Sequence, residues 1–284
     1  MKNNYIPEEY FDSSVYEYEE EYLTPQYIKK SKWDIAIGLQ EVDNLTPSKY
    51  LLELKNKNID GSISLDEVKE ELKKYYTDQK DIDESELECD FVSARIVELL
   101  GINNFELSVN YLKYIHKYLF QDIYEFAGEF REVNFSKKEK ILNNDSVAYG
   151  DYKTLKESLE YDLEREKELD YSKLGIRDAI NNITVFSSRI WQVHPFREGN
   201  TRTTAVFIEK YLLDLGYSVD NTLFKDKSIY FRNALARSNY FNTSKDIKED
   251  NSYLIKFYEN LLLKKNNPLH SQDLIIEELF DKKD

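Results

Sequence analysis

Cysteine is nearly absent: Cys89 stands alone in 284 residues, which excludes an intramolecular disulfide. Glycine and proline are scarce too, at 8 and 5, while tyrosine and phenylalanine are abundant, so a mostly helical chain is expected. No run approaches the ~18 consecutive apolar residues of a membrane span, and the start Met1-Lys2-Asn3-Asn4-Tyr5 lacks the apolar stretch of a signal peptide. The expectation is a soluble protein of a reducing cytoplasm, without a membrane partner. Positive charge is also short. With 39 Lys and Arg against 54 Asp and Glu the net charge is −15, which argues against direct nucleic-acid binding, since association with a polyphosphate backbone is dominated by cationic contacts. Any anionic ligand must be held by a local cluster.

What is present is enough chain for a sizeable core. Residues 1–31 form an acidic tail with Glu17, Glu19, Glu20 and Glu21 together and no sustained period. A small three-helix segment follows over 32–78. Its first helix runs from Trp33 to about Asn44, its second starts with Thr46 as N-cap and Pro47 at the first position, and its third opens on the capping box Ser64-Leu65-Asp66-Glu67. So small a bundle must lean on what comes next. Residues 79–265 read as the main domain and 266–284 as a short terminal helix and tail. Leu87, Phe91, Ala94, Val97 and Leu100 make one helical stripe, and a second helix is capped by Ser108. Residues 129–149 carry the only convincing β signal and read as a hairpin or an extended flap. Ile176, Ile180, Ile183, Phe186, Ile190 and Val193 form a buried face that leads to His194, and Ala205, Ile208, Leu212 and Leu215 continue a like stripe beyond it.

Between those two stripes lies His194-Pro195-Phe196-Arg197-Glu198-Gly199-Asn200-Thr201-Arg202. A helix starting at Asn200 or Thr201 points unpaired amides and the positive end of its dipole into the loop, which makes an anion site. Gly199 lets backbone approach a phosphate, and Arg202 can fork onto its oxygens. Glu198 would repel phosphate unless a Mg²⁺ ion bridged them. His194 could take a proton from an attacking hydroxyl. Alone, a histidine at a helix end reads as a capping residue; its conjunction with Gly-Asn-x-Arg points to phosphoryl or nucleotidyl transfer. His116 reads as a helix residue beside the core and Lys137-Lys138 as a solvated turn. A zinc site has little support, because His116 and His270 have no ligand spacing with His194 and Glu198.

The nine-residue loop resembles the signature of the Fic family, His-Pro-Phe-x-Asp/Glu-Gly-Asn-x-Arg, and the stretch Tyr124-Glu125-Phe126-Ala127-Gly128-Glu129-Phe130-Arg131 looks like the segment that leads into that family's flap. The resemblance covers roughly residues 85–265. It implies an all-α Fic fold, a helical bundle core with a β-hairpin flap over the active-site loop, preceded here by the three-helix segment. It implies transfer of AMP from ATP to a Ser, Thr or Tyr hydroxyl of a target protein, with ATP and Mg²⁺ required. His194 would be the base and Glu198 the Mg²⁺ ligand. Arg197, Gly199, Asn200, Thr201 and Arg202 would hold the phosphates, and Asn239 would lie at the adenine end. The flap residues Asn134, Phe135, Ser136 and Lys137 would clamp the target chain.

The segment 32–78 is similar to the small VbhA-type antitoxin of toxin–antitoxin pairs, whose inhibitory helix carries Ser/Thr-x-x-x-Glu-Gly/Asn. Here the matching positions are Leu39, Asp43 and Asn44, and the second motif arginine, partner of that Glu, is replaced by Ala205. The Doc branch also lacks that arginine and transfers the γ-phosphate, so Doc-like phosphate transfer is the alternative, alongside a non-catalytic peptide-binding platform.

Overall fold

The computed structural model describes residues 24–219 and 222–280. Most of the acidic tail expected over 1–31 therefore lies outside the described residues. Helix α1 (Pro25–Gly38) begins earlier than the apolar pattern from Trp33 suggests, because Thr24 caps the amide of Tyr27 and Pro25 stands at the first turn. It ends in a 3-10 turn, Leu39–Asp43, stopped by Asn44 in the left-handed region at φ 58°. Helix α2 (Lys49–Asp60) is capped by Ser48, not by Thr46, since Ser48 Oγ accepts from Leu51 N at 3.0 Å; Gly61 closes it. Helix α3 (Leu65–Thr77) carries both halves of the capping box read from Ser64 and Glu67.

Asp83 caps α4 (Glu84–Gly101) and Ser108 caps α5 (Val109–Phe120). After the flap region come α6 (Leu155–Lys167), α7 (Ile176–Val193) and α8 (Asn200–Asp214). Helix α9 (Thr222–Asn239) is broken at Lys227, so its regular part starts at Ser228 as the sequence suggests. Helix α10 (Ser252–Leu263) follows, and the terminal helix expected near Leu274 consists of two 3-10 turns, Ser271–Leu274 and Glu277–Leu279. No helix among the described residues is long and apolar enough to cross a membrane.

Helix α8 is the axis of the bundle, buried at every position from Asn200 to Leu212 and packed against α4, α5, α7 and the 3-10 turn 39–43. A helix buried all round needs partners on every side, and the N-terminal segment is one of them. Helix α1 lies between α4 and α9 with Trp33, Ile35 and Ala36 buried, and Leu39 of the 3-10 turn is buried beside them. At Gly38 a Cβ would come within 2.5 Å of the Phe224 carbonyl oxygen, so only glycine allows this approach of α1 to α9. One apolar cluster joins Trp33 and Leu39 to Phe207, Phe231 and Phe257.

The expected hairpin at 129–149 is an extended flap without strands; the described residues contain only an isolated bridge, Asn242 to Ile247. Backbone bonds join the two stems only near the tip, from Glu139 N to Asp145 O at 3.0 Å and from Asn144 N to Glu139 O at 2.9 Å; further down, side chains take the place of a ladder. Lys137 N donates to Ser146 Oγ at 3.1 Å, Tyr152 N to Asn134 Oδ1 at 2.9 Å, and the Phe135 and Tyr149 rings stack at 5.2 Å.

Candidate active site

The loop between α7 and α8 owes its shape to two left-handed residues. His194 ends α7 at φ 48° and Gly199 precedes α8 at φ 75°. At Gly199 a Cβ would sit 2.4 Å from the Phe120 ring, so both the conformation and the close approach require glycine. Asn200 staples the turn through its side chain, with Oδ1 accepting from Phe196 N at 2.9 Å and Nδ2 donating to Phe196 O at 2.8 Å. Thr201 Oγ1 accepts from Trp191 Nε1 at 2.9 Å. The two side chains thus build the loop, and any phosphate contact at these positions falls to their backbone amides. No side chain caps the start of α8, so its first-turn N–H groups face the loop as an anion site.

His194 is 3 % exposed, covered by the Tyr149 ring at 4.2 Å and the Phe135 ring at 5.6 Å, with Trp191 edge-on at 5.2 Å. Its Nδ1 lies 3.2 Å from the Trp191 carbonyl oxygen. A carbonyl can only accept, so Nδ1 carries the hydrogen and Nε2 keeps its lone pair. Burial, and then the charge of Lys137, hold the imidazole well below its usual pKa, which leaves it neutral at pH 7.

Glu198 is half exposed, and its Oε2 lies 3.5 Å from Lys137 Nζ of the flap. The carboxylate therefore already attracts a cation at the edge of the anion site, a donor suited to a hard divalent ion. Arg197 is exposed over the Phe126 ring at 5.4 Å, on the outer side of the loop.

Arg202 points the other way. It is 1 % exposed and lies over the Phe120 ring at 4.8 Å. Nη2 donates to Glu88 Oε1 at 2.6 Å and Nη1 to Gln40 Oε1 at 2.9 Å, while Nε lies 2.8 Å from Asp43 Oδ2. The Nε–H is poorly aligned on that oxygen, so the Asp43 contact is one of charge and not a directed hydrogen bond. The two nearby carboxylates hold the guanidinium above its ordinary pKa despite its burial.

Of the sequence-predicted residues, His194, Glu198, Gly199, Asn200, Thr201 and Arg202 meet in one loop, with Phe135 and Lys137 above it and Asp43 on Arg202. Leu39 is buried in the core, and Asn44 ends the 3-10 turn that presents Asp43. Asn239 lies on α9 with its amide donating to the carbonyls of Ser188 at 3.2 Å and Leu235 at 2.8 Å. Ala205 is buried.

Sequence reasoning missed Gln40, Glu88 and Tyr149, for which the chain carries no local signal. It also undervalued His116, whose Nδ1 accepts from Gly128 N at 2.8 Å, whose Nε2 donates to the Glu198 carbonyl at 3.0 Å, and whose ring stacks on Phe196 at 3.7 Å. Burial takes His116 down to a pKa of about 4.

Comparison with known proteins agrees with this geometry. The chain is 29 % identical over 143 residues to a probable protein adenylyltransferase, y4lH, of Sinorhizobium fredii, spanning 47 % of this chain and 66 % of that protein. It is 30 % identical over 115 residues to the protein adenylyltransferase VbhT of Bartonella schoenbuchensis, spanning 40 % of this chain and 23 % of that one. Among solved structures, a Fic domain containing signaling protein from Bacteroides thetaiotaomicron superposes with a TM-score of 0.59 at 12 % identity, covering 94 % of both chains. The N-terminal Fic domain of Bep8 from Bartonella sp. 1-1C gives 0.50 at 17 % identity over 64 % of this chain and 88 % of that one. At such identities these two speak for the fold alone. Residues 106–212 match the Fic/DOC family, and with the loop, the helical fold and the adenylyltransferase relatives in agreement, this chain carries a Fic/DOC-family domain.

Proposed function

We propose that this chain is a protein adenylyltransferase that transfers AMP from ATP to a hydroxyl side chain of a target protein, and that its N-terminal segment restrains it. The observation that carries the reading is the pairing of a neutral, Nε2-free His194 with the uncapped first turn of α8, which starts at Asn200. The relatives named as adenylyltransferases support it.

In this reading the phosphates of ATP sit on the amides of the first turn of α8, beside Gly199. Glu198 would hold Mg²⁺, which supplies positive charge against the phosphates. His194 Nε2 takes the proton of the target hydroxyl as its oxygen bonds to the α-phosphorus, and the bond to the β-phosphate oxygen breaks to release pyrophosphate. The target segment docks along Asn134, Phe135, Ser136 and Lys137 of the flap. Because the Phe135 and Tyr149 rings cover His194, the flap must shift before a hydroxyl reaches it. Arg202 is held by Asp43 and Glu88 where a phosphate would compete, so the 3-10 turn 39–43 opposes nucleotide binding.

Labelled ATP tests the reaction. With a target-containing lysate, protein should take up label from α-labelled ATP and none from γ-labelled ATP, and His194→Ala should abolish uptake. Label from γ alone would instead establish phosphate transfer, the reading Ala205 keeps open, and calorimetry without ATP·Mg²⁺ binding would leave a peptide-binding platform.

A further inference from the structure

Arg131 stands where the stretch after α5 turns into the flap, and it is buried. A guanidinium has five N–H donors, and all five here find acceptors that are uncharged. Nε donates to His194 O at 2.8 Å. Nη1 donates to Val133 O at 2.7 Å and to Asn134 Oδ1 at 3.3 Å. Nη2 donates to Gly150 O and, at 3.3 Å, to Val193 O. The backbone amide of Arg131 adds a bond to Pro195 O at 2.8 Å. One residue thus gathers three consecutive carbonyls of the loop, at 193, 194 and 195, and fastens them to both stems of the flap, at 133–134 and at 150.

Such a burial has a cost that these contacts must offset. No carboxylate among the described residues pairs with Arg131 at salt-bridge distance. The compensation comes from peptide dipoles, the Val193 and His194 carbonyls being the negative end of α7, and from the Asp151 carboxylate acting beyond contact distance. The two carbonyls converge where the chain needs help, because His194 adopts φ 48° and ψ 59°, a left-handed conformation that is unfavourable for a non-glycine residue. In that conformation the imidazole turns back on Trp191 O through Nδ1 and lies under Phe135 and Tyr149. The guanidinium also lies over the Phe135 ring at 5.1 Å, so it touches the cover as well as the loop.

We infer that Arg131 is the positioning residue of the base: by tying the 193–195 carbonyls to both flap stems it sets the left-handed backbone of His194 and so the direction of Nε2. It acts through His194 and touches neither nucleotide nor target. The inference rests on the reading of His194 as base.

Lysine keeps the charge but has one nitrogen, which cannot reach acceptors spread over three segments. In an Asp43→Ala background, so that the contact on Arg202 does not mask the effect, Arg131→Lys should bind ATP·Mg²⁺ within about twofold of its parent. Its rate of AMP transfer should fall on the order of 100-fold, the usual penalty for a reacting group misplaced by about 1 Å. Arg131→Ala should be slower still, and added methylguanidinium should restore part of its rate. Ring NMR of the three histidines gives a readout that needs no turnover: in Arg131→Lys the His194 signals should shift while those of His270 stay in place. If the parent transfers no AMP, the adenylyltransferase reading fails and the NMR signals still decide the positioning. An Arg131→Lys protein that keeps the parental rate and His194 signals overturns the inference. So does a loss of folding in both variants, which would make Arg131 a structural residue only.

Discussion

His116 shows how much a single side chain can do without touching a ligand. Its two nitrogens satisfy the Gly128 amide and the Glu198 carbonyl, and its ring supports Phe196, so it fixes the outer half of the loop as Arg131 fixes the inner half. Both nitrogens are used only by the neutral tautomer with hydrogen on Nε2. The folded pKa of about 4 lies below the ordinary value of 6.5, so the unfolded chain binds the extra proton first. The stability that neutral His116 contributes is present above pH 6.5 and is lost as pH falls towards 4, at up to roughly 1.4 kcal/mol per unit. His116→Phe should keep the stacking but strand two backbone groups, at about 1–3 kcal/mol each. Urea denaturation at pH 7 should find it less stable, and its stability should fall less steeply between pH 6.5 and 4.5. His194, whose pKa is also lowered, adds a slope of the same sign in both proteins, and Glu209, whose pKa is raised, opposes it equally in both. No pattern of spacing announces such a histidine; from sequence it is one polar residue on the inner face of α5, and its partners are 12 and 82 positions away.

At the scale of elements, α8 carries the signature and also a conflict. Three turns from the loop, Glu209 is 2 % exposed, its Oε2 has no hydrogen-bond partner among the described residues, and burial raises its pKa to about 8. Burial also raises the hydroxyl pKa of Tyr258 on α10, and the nearby Glu209 carboxylate adds to that. Folded Glu209 holds its proton where the unfolded chain has released it. Its contribution is therefore full below pH 4.5 and is lost as pH rises through 8. Glu209→Gln should be close to neutral at pH 5 and stabilising at pH 8, with the difference growing by roughly 1.4 kcal/mol per unit between; melting temperatures of both proteins across that range measure it. The helices themselves were readable, because 3.6-residue stripes and caps such as Ser64 and Ser108 are local. The flap was readable as extended chain but not as to its pairing. Arg131, Asn134 and Ser146 hold its stems by side-chain bonds, and alternation of residue types does not distinguish such a segment from a strand pair.

For the molecule as a whole, the decisive arrangement is the seating of the N-terminal segment on the domain. Gly38 lets α1 close on α9, and the 3-10 turn that follows places Gln40 and Asp43 on Arg202. A pair left with one buried charge is costly, but here Glu88 remains on Arg202 when Asp43 is removed. Asp43→Ala should therefore lose only a little thermal stability. It should bind ATP·Mg²⁺ about tenfold more tightly, equivalent to a coupling of ~1.4 kcal/mol. Calorimetry on the full chain measures this, and an unchanged affinity would remove the segment from control of the site.

The helical class, the loop from His194 to Arg202 and its family likeness can be read without coordinates, because caps, periodic stripes and a contiguous motif are encoded within a few residues of one another. Which way Arg202 points, what covers His194 and what holds the loop in shape are settled by the folded chain. Those depend on Asp43, Glu88, His116, Arg131 and Tyr149, residues brought together from five separate segments, and contacts across such separations are set by the packing of the whole bundle.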